Sequence, residues 1–307
     1  MTEKFYIERL TVIGVGLIGG SLIRALKRAD CVGQVTGCGR TREALEPALE
    51  LGVIDRAGDS VAAAVADADL VVLATPPSTS GELFAAMREA LPEHTVITDV
   101  GSAKGSVIQA ARDHLTAEQF SRFVPGHPVA GTEKSGVEAS FADLFDAHRV
   151  ILTPVNETDP AALAMVETLW QHAGAEVIRM PARQHDATLA ATSHLPHMLA
   201  YALVDCLAGM GEHRDIFRYA AGGFADFTRI ASSSPQMWHD ICFANRDELL
   251  DVMARFQEQL TTLTAAIEND DRQTVVNMFE RAKAARDRFS DLRAAGGTVV
   301  GSGDSSE

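Results

Sequence analysis

Leu10-Thr11-Val12-Ile13-Gly14-Val15-Gly16-Leu17-Ile18-Gly19 is the stretch whose reading decides the fold. An apolar run suited to a buried strand ends in a G-x-G-x-x-G turn, and the turn opens onto Leu22, Ile23 and Leu26 at helical spacing. Strand, glycine turn and helix in that order set backbone N–H groups at a helix start, where a pyrophosphate can sit. The glycines then have separate jobs: Gly14 makes the tight turn, Gly16 permits close approach, and Gly19 lets helix and strand pack. Glycine pairs alone recur by chance in turns, so the flanking strand and helix carry the argument. Gly14, Gly16, Leu17, Ile18 and Gly19 are the expected cofactor contacts.

Working outward, short β-rich runs alternate with helical patterns as far as about Met180, as a doubly wound parallel sheet requires. Strands are expected at Leu10–Ile13, Val35–Cys38, Leu70–Ala74, Val96–Asp99, Phe123–Pro125, Val150–Thr153 and Glu176–Met180, with helices between several of them. After Pro181 the β-branched runs vanish. Helix-favouring segments cover Arg183 to Met210 and Gln236 to Arg293, interrupted around Gly222-Gly223. The expected division is 1–181, a dinucleotide-binding domain, and 182–293, a helical domain, with a Gly/Ser-rich tail over 294–307 expected to be disordered. Leu249, Leu250, Met253, Phe256, Leu260 and Leu263 recur at helical spacing, which suits burial against a second copy, so a homodimer is expected.

Composition narrows the function classes. The 307 residues carry a formal charge of -15 and 46% hydrophobic content, enough apolar material for two cores and a surface that repels a polyphosphate backbone. Nucleic acid is not an expected partner. Cys31, Cys38, Cys206 and Cys242 form no C-x-x-C pair, which suits neither a disulfide framework nor a zinc site. Met1 to Arg9 mixes charges of both signs with no export signal, and no apolar run approaches the ~20 residues that cross a bilayer. A cytoplasmic protein without membrane contact is the expectation.

Three further loops bear chemistry. Thr75 and Pro76, just past Leu70–Ala74, stand where open sheets place their ligand crevice and are expected beside the nicotinamide half of a cofactor. At the end of the second strand an acid would bond a ribose 2′-hydroxyl, whereas arginine accommodates a 2′-phosphate. Here Arg40 occupies that place in Gly37-Cys38-Gly39-Arg40-Thr41-Arg42, which leaves NAD and NADP both open. Asp99-Val100-Gly101-Ser102-Ala103-Lys104-Gly105 and Gly126-His127-Pro128-Val129-Ala130-Gly131-Thr132 leave successive strands and should converge, with His127 in an exposed turn. A histidine there can take a proton from a hydroxyl near neutral pH, the chemistry that alcohol oxidation by hydride transfer needs.

With these motifs, Ser193-His194-Leu195-Pro196-His197 and Gly223-Phe224-Ala225-Asp226-Phe227-Thr228-Arg229, the chain resembles the prephenate/arogenate dehydrogenase family from about Leu10 to Arg293. The resemblance implies a Rossmann-type doubly wound parallel sheet followed by an all-helical dimerisation domain. It implies oxidative decarboxylation of prephenate to 4-hydroxyphenylpyruvate, or of arogenate, with NAD or NADP, in tyrosine biosynthesis. His127 would then partner the 4-hydroxyl of the cyclohexadiene ring, with Ser102 as a second hydrogen-bonding group. Arg229 would hold a substrate carboxylate, and His194, His197, Thr132 and Trp238 would line the substrate pocket. Zinc on His194 and His197 is not expected, since no acidic partner completes a ligand set. Some prephenate-using relatives carry a basic residue four positions before the arginine; this chain has Ala225. Two other classes compete. A β-hydroxyacid dehydrogenase would use a lysine that the first helical segment lacks, and a silent NAD(P)-sensing protein would not need Ser102, His127 and Arg229 together.

Overall fold

The computed structural model describes residues 4–132, 134–210 and 216–294. They fall into two compact units, one ending at Leu250 and one beginning at Asp251. In the first unit β1 (Ile7–Ile13), α1 (Leu17–Arg28), β2 (Val32–Cys38), α2 (Glu46–Glu50), β3 (Arg56–Ala57), α3 (Val61–Val65), β4 (Leu70–Leu73), α4 (Ser80–Met87), β5 (Val96–Asp99), α5 (Gly105–His114), α6 (Ala117–Ser121) and β6 (Phe123–Val124) build the main layer. Its sheet has six strands in the order β3-β2-β1-β4-β5-β6, every adjacent pair parallel. Leu70-Val71-Val72-Leu73 is wholly buried because helices cover both faces, which is why it reads as an unbroken apolar run. One face packs Leu22, Ile23 and Leu26 of α1 with Trp170; the other packs Phe84 of α4, Val107 of α5 and Phe123.

β1 pairs with β2 on one side and β4 on the other, so the direction of winding reverses between β1 and β4. Ligands of such sheets bind beyond the strand ends at that reversal. The residues there are Gly14, after β1, and Ala74-Thr75, after β4.

The expected single sheet is corrected in one respect. β7 (Gly126–Pro128), β8 (Arg149–Leu152) and β9 (Glu176–Arg179) form a separate three-stranded sheet, with β7 antiparallel to β8 and β8 parallel to β9. β7 is too short, and too interrupted by glycine and proline, to register as a strand by periodicity. As an edge strand it tolerates Pro128. α7 (Pro160–His172) precedes β9, with Asp159 capping the Ala161 and Ala162 N–H groups and Pro160 in the first turn.

From Pro181 onward the described residues are helical: α8 (Ala182–Leu189), a π turn (Ala190–His194), α9 (Leu195–Ala208), α10 (Gly222–Thr228), α11 (Pro235–Ala244), α12 (Arg246–Glu268) and α13 (Arg272–Ala294). Composition changes at Pro181 but compactness does not. Asp186 of α8 accepts hydrogen bonds from the backbone N–H groups of Lys104 and Gly105, which binds α8 to the sheet domain's loops. The second unit holds α13 and the greater part of α12, and on it Phe256, Leu260, Ile267, Val276, Phe279 and Phe289 are exposed. The tail beyond Ala294 lies outside the described residues.

Candidate active site

The glycine turn has the geometry its spacing implies. Gly14 adopts φ +96°, and a Cβ there would stand 2.4 Å from the Ala74 carbonyl oxygen, so glycine alone fits. A Cβ on Gly19 would meet the Gly14 carbonyl oxygen at 2.4 Å. Gly16, by contrast, faces open space, with no atom within 4 Å of a Cβ built on it. It is the N-cap of α1, whose first turn has neither a side-chain cap nor an acidic residue. Uncapped N–H groups at the positive end of a twelve-residue helix, reached across an open glycine, fit a pyrophosphate. Thr75 is half-buried, its hydroxyl accepting from Thr79 at 2.9 Å, and Pro76 is exposed beside it. Arg40 is exposed in the loop after β2.

His127 is corrected from an exposed turn to a buried strand residue, 9% exposed, on β7. The reason lies in the preceding loop. Lys104 is fully buried, and its ammonium pairs with Asp99 at the end of β5 and donates to the Gly126 carbonyl at 2.6 Å. Asp99 in turn accepts from the Gly126 N–H at 3.1 Å and the Gly101 N–H at 2.8 Å. The two expected loops therefore converge, held together by an ion pair whose carboxylate was not singled out from sequence. Burial pushes the Lys104 ammonium below its usual value, with the Asp99 carboxylate opposing that shift.

Behind His127 stands a second histidine. His127 Nδ1 lies 2.8 Å from His185 Nε2, and His185 Nδ1 lies 2.7 Å from Asp186 Oδ1. Burial first, then His185, Lys104 and His194, hold the His127 imidazole well below its ordinary pKa, so it is neutral and able to accept a proton. Burial by itself would raise Asp186. The hydrogen bonds from His185 and from the Lys104 and Gly105 N–H groups outweigh that and keep its carboxyl low.

The π turn and the first turn of α9 bring His194 and His197 to one aromatic wall. Trp238 of α11 stacks on His197 at 3.6 Å between centroids and meets His194 edge-on at 6.1 Å. Asn245 Nδ2 donates to the Asp186 carbonyl at 2.8 Å and approaches His194 Nδ1 at 3.1 Å, which leaves the His194 proton on Nε2. Burial lowers His194 to about 4. His197 Nδ1–H donates to the Ser193 carbonyl at 2.8 Å, so its Nε2 is an acceptor; burial lowers it, and Arg229 reinforces that by its charge. One imidazole offers a donor and its neighbour an acceptor.

Ser102 is half-buried between β5 and α5, and its hydroxyl bonds to no described residue. Arg229 is exposed at the end of α10, close enough to influence His197. Thr132 sits in an exposed loop, its hydroxyl accepting from the Lys134 N–H at 3.2 Å. Sequence reasoning missed His185, Asp186, Asp99 and Asn245. The adjacent His185-Asp186 pair, buried early in an otherwise polar helix, was the one signal on offer.

A dinucleotide turn at the winding reversal of a parallel sheet, with a neutral buried histidine among loops at the strand ends, defines a dinucleotide-dependent oxidoreductase. Comparison with known proteins narrows this. The family described as prephenate dehydrogenase, nucleotide-binding domain, matches residues 22–179, and prephenate dehydrogenase, dimerization domain, matches residues 181–281. The chain belongs to the prephenate dehydrogenase family. It is 38% identical over 281 residues to a cyclohexadienyl dehydrogenase of Zymomonas mobilis, covering 91% of this chain and 95% of that one. It is 36% identical over 286 residues to a prephenate dehydrogenase of Bacillus subtilis, covering 91% and 76%. A crystal structure of prephenate dehydrogenase from A. aeolicus, in complex with hydroxyphenyl propionate and NAD+, superposes with a TM-score of 0.86 at 36% identity, covering 94% of this chain and 100% of that one.

Proposed function

We propose that this chain oxidises and decarboxylates prephenate with NAD(P)+ to give 4-hydroxyphenylpyruvate, the tyrosine precursor. The observation that carries the reading is His127: buried, neutral, and fixed by its neighbours on the loop-bearing edge of the sheet. NAD(P)+, when bound, supplies the hydride acceptor. His127 accepts the proton of the ring hydroxyl, which strengthens electron release from the carbon that loses hydride. Ser102 donates to or accepts from the same oxygen and keeps it oriented. Loss of the ring carboxylate as carbon dioxide returns its electron pair to the ring, giving a phenolate oxygen that takes the proton back from His127. Net proton release is zero.

Arg229 holds a substrate carboxylate with its planar fork, while His194, His197, Trp238 and, less directly, Thr132 border the substrate. Gly14, Gly16, Leu17, Ile18, Gly19, Thr75 and Pro76 border the dinucleotide, and Arg40 meets a 2′-phosphate where NADP is used. We divide these duties between a cofactor domain, 1–181, and a substrate and dimerisation domain, 182–293. The exposed apolar side chains of α12 and α13 support a homodimer. Four free thiols suit a reducing cytoplasm.

The test is a spectrophotometric assay of nicotinamide reduction, with prephenate and arogenate crossed against NAD+ and NADP+. Reduction with prephenate at the higher kcat/KM is expected. Preference for arogenate replaces the substrate, and no reduction with either overturns the enzymatic reading in favour of a nucleotide-sensing protein.

A further inference from the structure

We infer that His185 and Asp186 are positioning residues that hold His127 in one tautomer, with Nδ1–H turned inward and the Nε2 lone pair facing the substrate hydroxyl. The inference rests on the dehydrogenase reading above and goes beyond it by assigning the proton to one nitrogen.

The direction follows from the far end of the chain of bonds. Asp186 is an ionised carboxylate, able only to accept, and both its oxygens are already anchored: Oδ1 by the Lys104 N–H at 2.8 Å and Oδ2 by the Gly105 N–H at 2.7 Å. His185 Nδ1, 2.7 Å from Oδ1, must therefore be the donor. A neutral imidazole with its proton on Nδ1 has a lone pair on Nε2, and His127 Nδ1 lies 2.8 Å from that atom. His127 accordingly donates through Nδ1, and its Nε2 is left basic. The alternative, a doubly protonated His185, would place a second cation in a fully buried site that also holds the Lys104 ammonium. The charged and titratable groups around His127 come from four elements: Asp99 at the end of β5, Lys104 before α5, His185 and Asp186 on α8, and His194 in the π turn. Asn245, just past the end of α11, holds the Asp186 carbonyl from the other side, so the pair cannot swing away without breaking a further buried bond.

In the reaction the new bond is His127 Nε2–H, formed as the substrate O–H breaks, and it breaks again when the phenolate is protonated. Between those events His127 is a cation, and Asp186, linked to it by hydrogen bonds through His185, is an anion able to stabilise it without itself taking the proton.

The first test needs no substrate: histidine ring 15N–1H correlation spectra of the unmodified chain, with assignments from His127→Asn and His185→Gln. Both rings should be neutral, with protonated Nδ1 and bare Nε2. A protonated Nε2 on His127, or a doubly protonated His185, overturns the inference whatever the assay shows. The second test is kinetic. In Asp186→Asn, kcat with prephenate should fall by about 10²–10⁴-fold, as loss of a base-orienting carboxylate does elsewhere, with both KM values within about threefold. Combined with His127→Asn, it should cost no more than His127→Asn alone. Losses that multiply, or an effect confined to KM, overturn it. Inactivity of the unmodified chain with every substrate pair would refute the dehydrogenase reading alone, since the spectra still decide the tautomer.

Discussion

His127 and Arg229 carry the sharpest residue-level expectations, because each is asked to do one thing. His127→Asn should retain cofactor affinity and fold while kcat falls by about two to four orders of magnitude, the usual worth of a positioned base. Turnover near that of the unmodified enzyme, measured on folded protein, would remove His127 from the mechanism. Arg229 lies at the end of α10, where its charge already disfavours protonation of His197. Arg229→Lys keeps that charge and loses the planar pair of donors, so KM for prephenate should rise about 30-fold or more while the dissociation constant for NAD+ stays within twofold. Equal effects on substrate and cofactor binding would argue for a structural arginine, and melting temperature on the same preparation identifies that case.

At the scale of elements, the site depends on how the β5–α5 loop grips β7. Lys104 ties the end of β5 to the residue before His127, with no water-exposed surface on its side chain. Lys104→Met removes the cation and strands the Asp99 carboxylate in a buried setting, which typically costs about 3–5 kcal/mol. Urea denaturation should show that loss, and adding Asp99→Asn should recover part of it. An unchanged midpoint for Lys104→Met would show that the ion pair is dispensable to the fold. The π turn between α8 and α9 has a comparable role: it brings His194 near Asn245 while the helix that follows sets His197 against Trp238. Pro196, in the first turn of α9, fits there because the first N–H groups of a helix need no partner within it.

Over the whole molecule, buried neutral histidines make stability fall with acidity. His194 has a folded pKa of about 4 against an ordinary 6.5, and His127 shifts the same way. Between those values the unfolded chain binds protons that the folded chain refuses, so stability is complete above pH 6.5 and is lost as pH falls towards 4. For His194 alone the loss is about 3 kcal/mol. Asp186, held below its ordinary value, adds stability that is present above about pH 4 and disappears at lower pH. Chemical denaturation should give a flat plateau above pH 7 and a decline from pH 6.5 downward, shallower in His194→Asn. Constant stability between pH 7 and pH 4.5 would show that these rings take up protons freely in the folded state.

The sequence by itself determined the parallel sheet, its glycine turn, the helical second half and the family, because those features are local. Strand and helix periods, and the positive-φ turn at Gly14 between them, are written within a dozen neighbouring residues. It also singled out His127, Ser102 and the His194–His197 pair, since an unusual polar residue at a strand end or in an apolar helix stands out against its neighbours. Only the tertiary structure decided that the small β7-β8-β9 sheet is separate, that His127 is buried, and that His185 and Asp186 stand behind it. His127 and His185 are 58 residues apart, and Lys104 and Asp186 are 82 apart. No periodicity links positions at such separations. Their meeting depends on the packing of α8 against the β5–α5 loop, and it is that packing, which desolvates the groups and orders their hydrogen bonds, that sets their charge states.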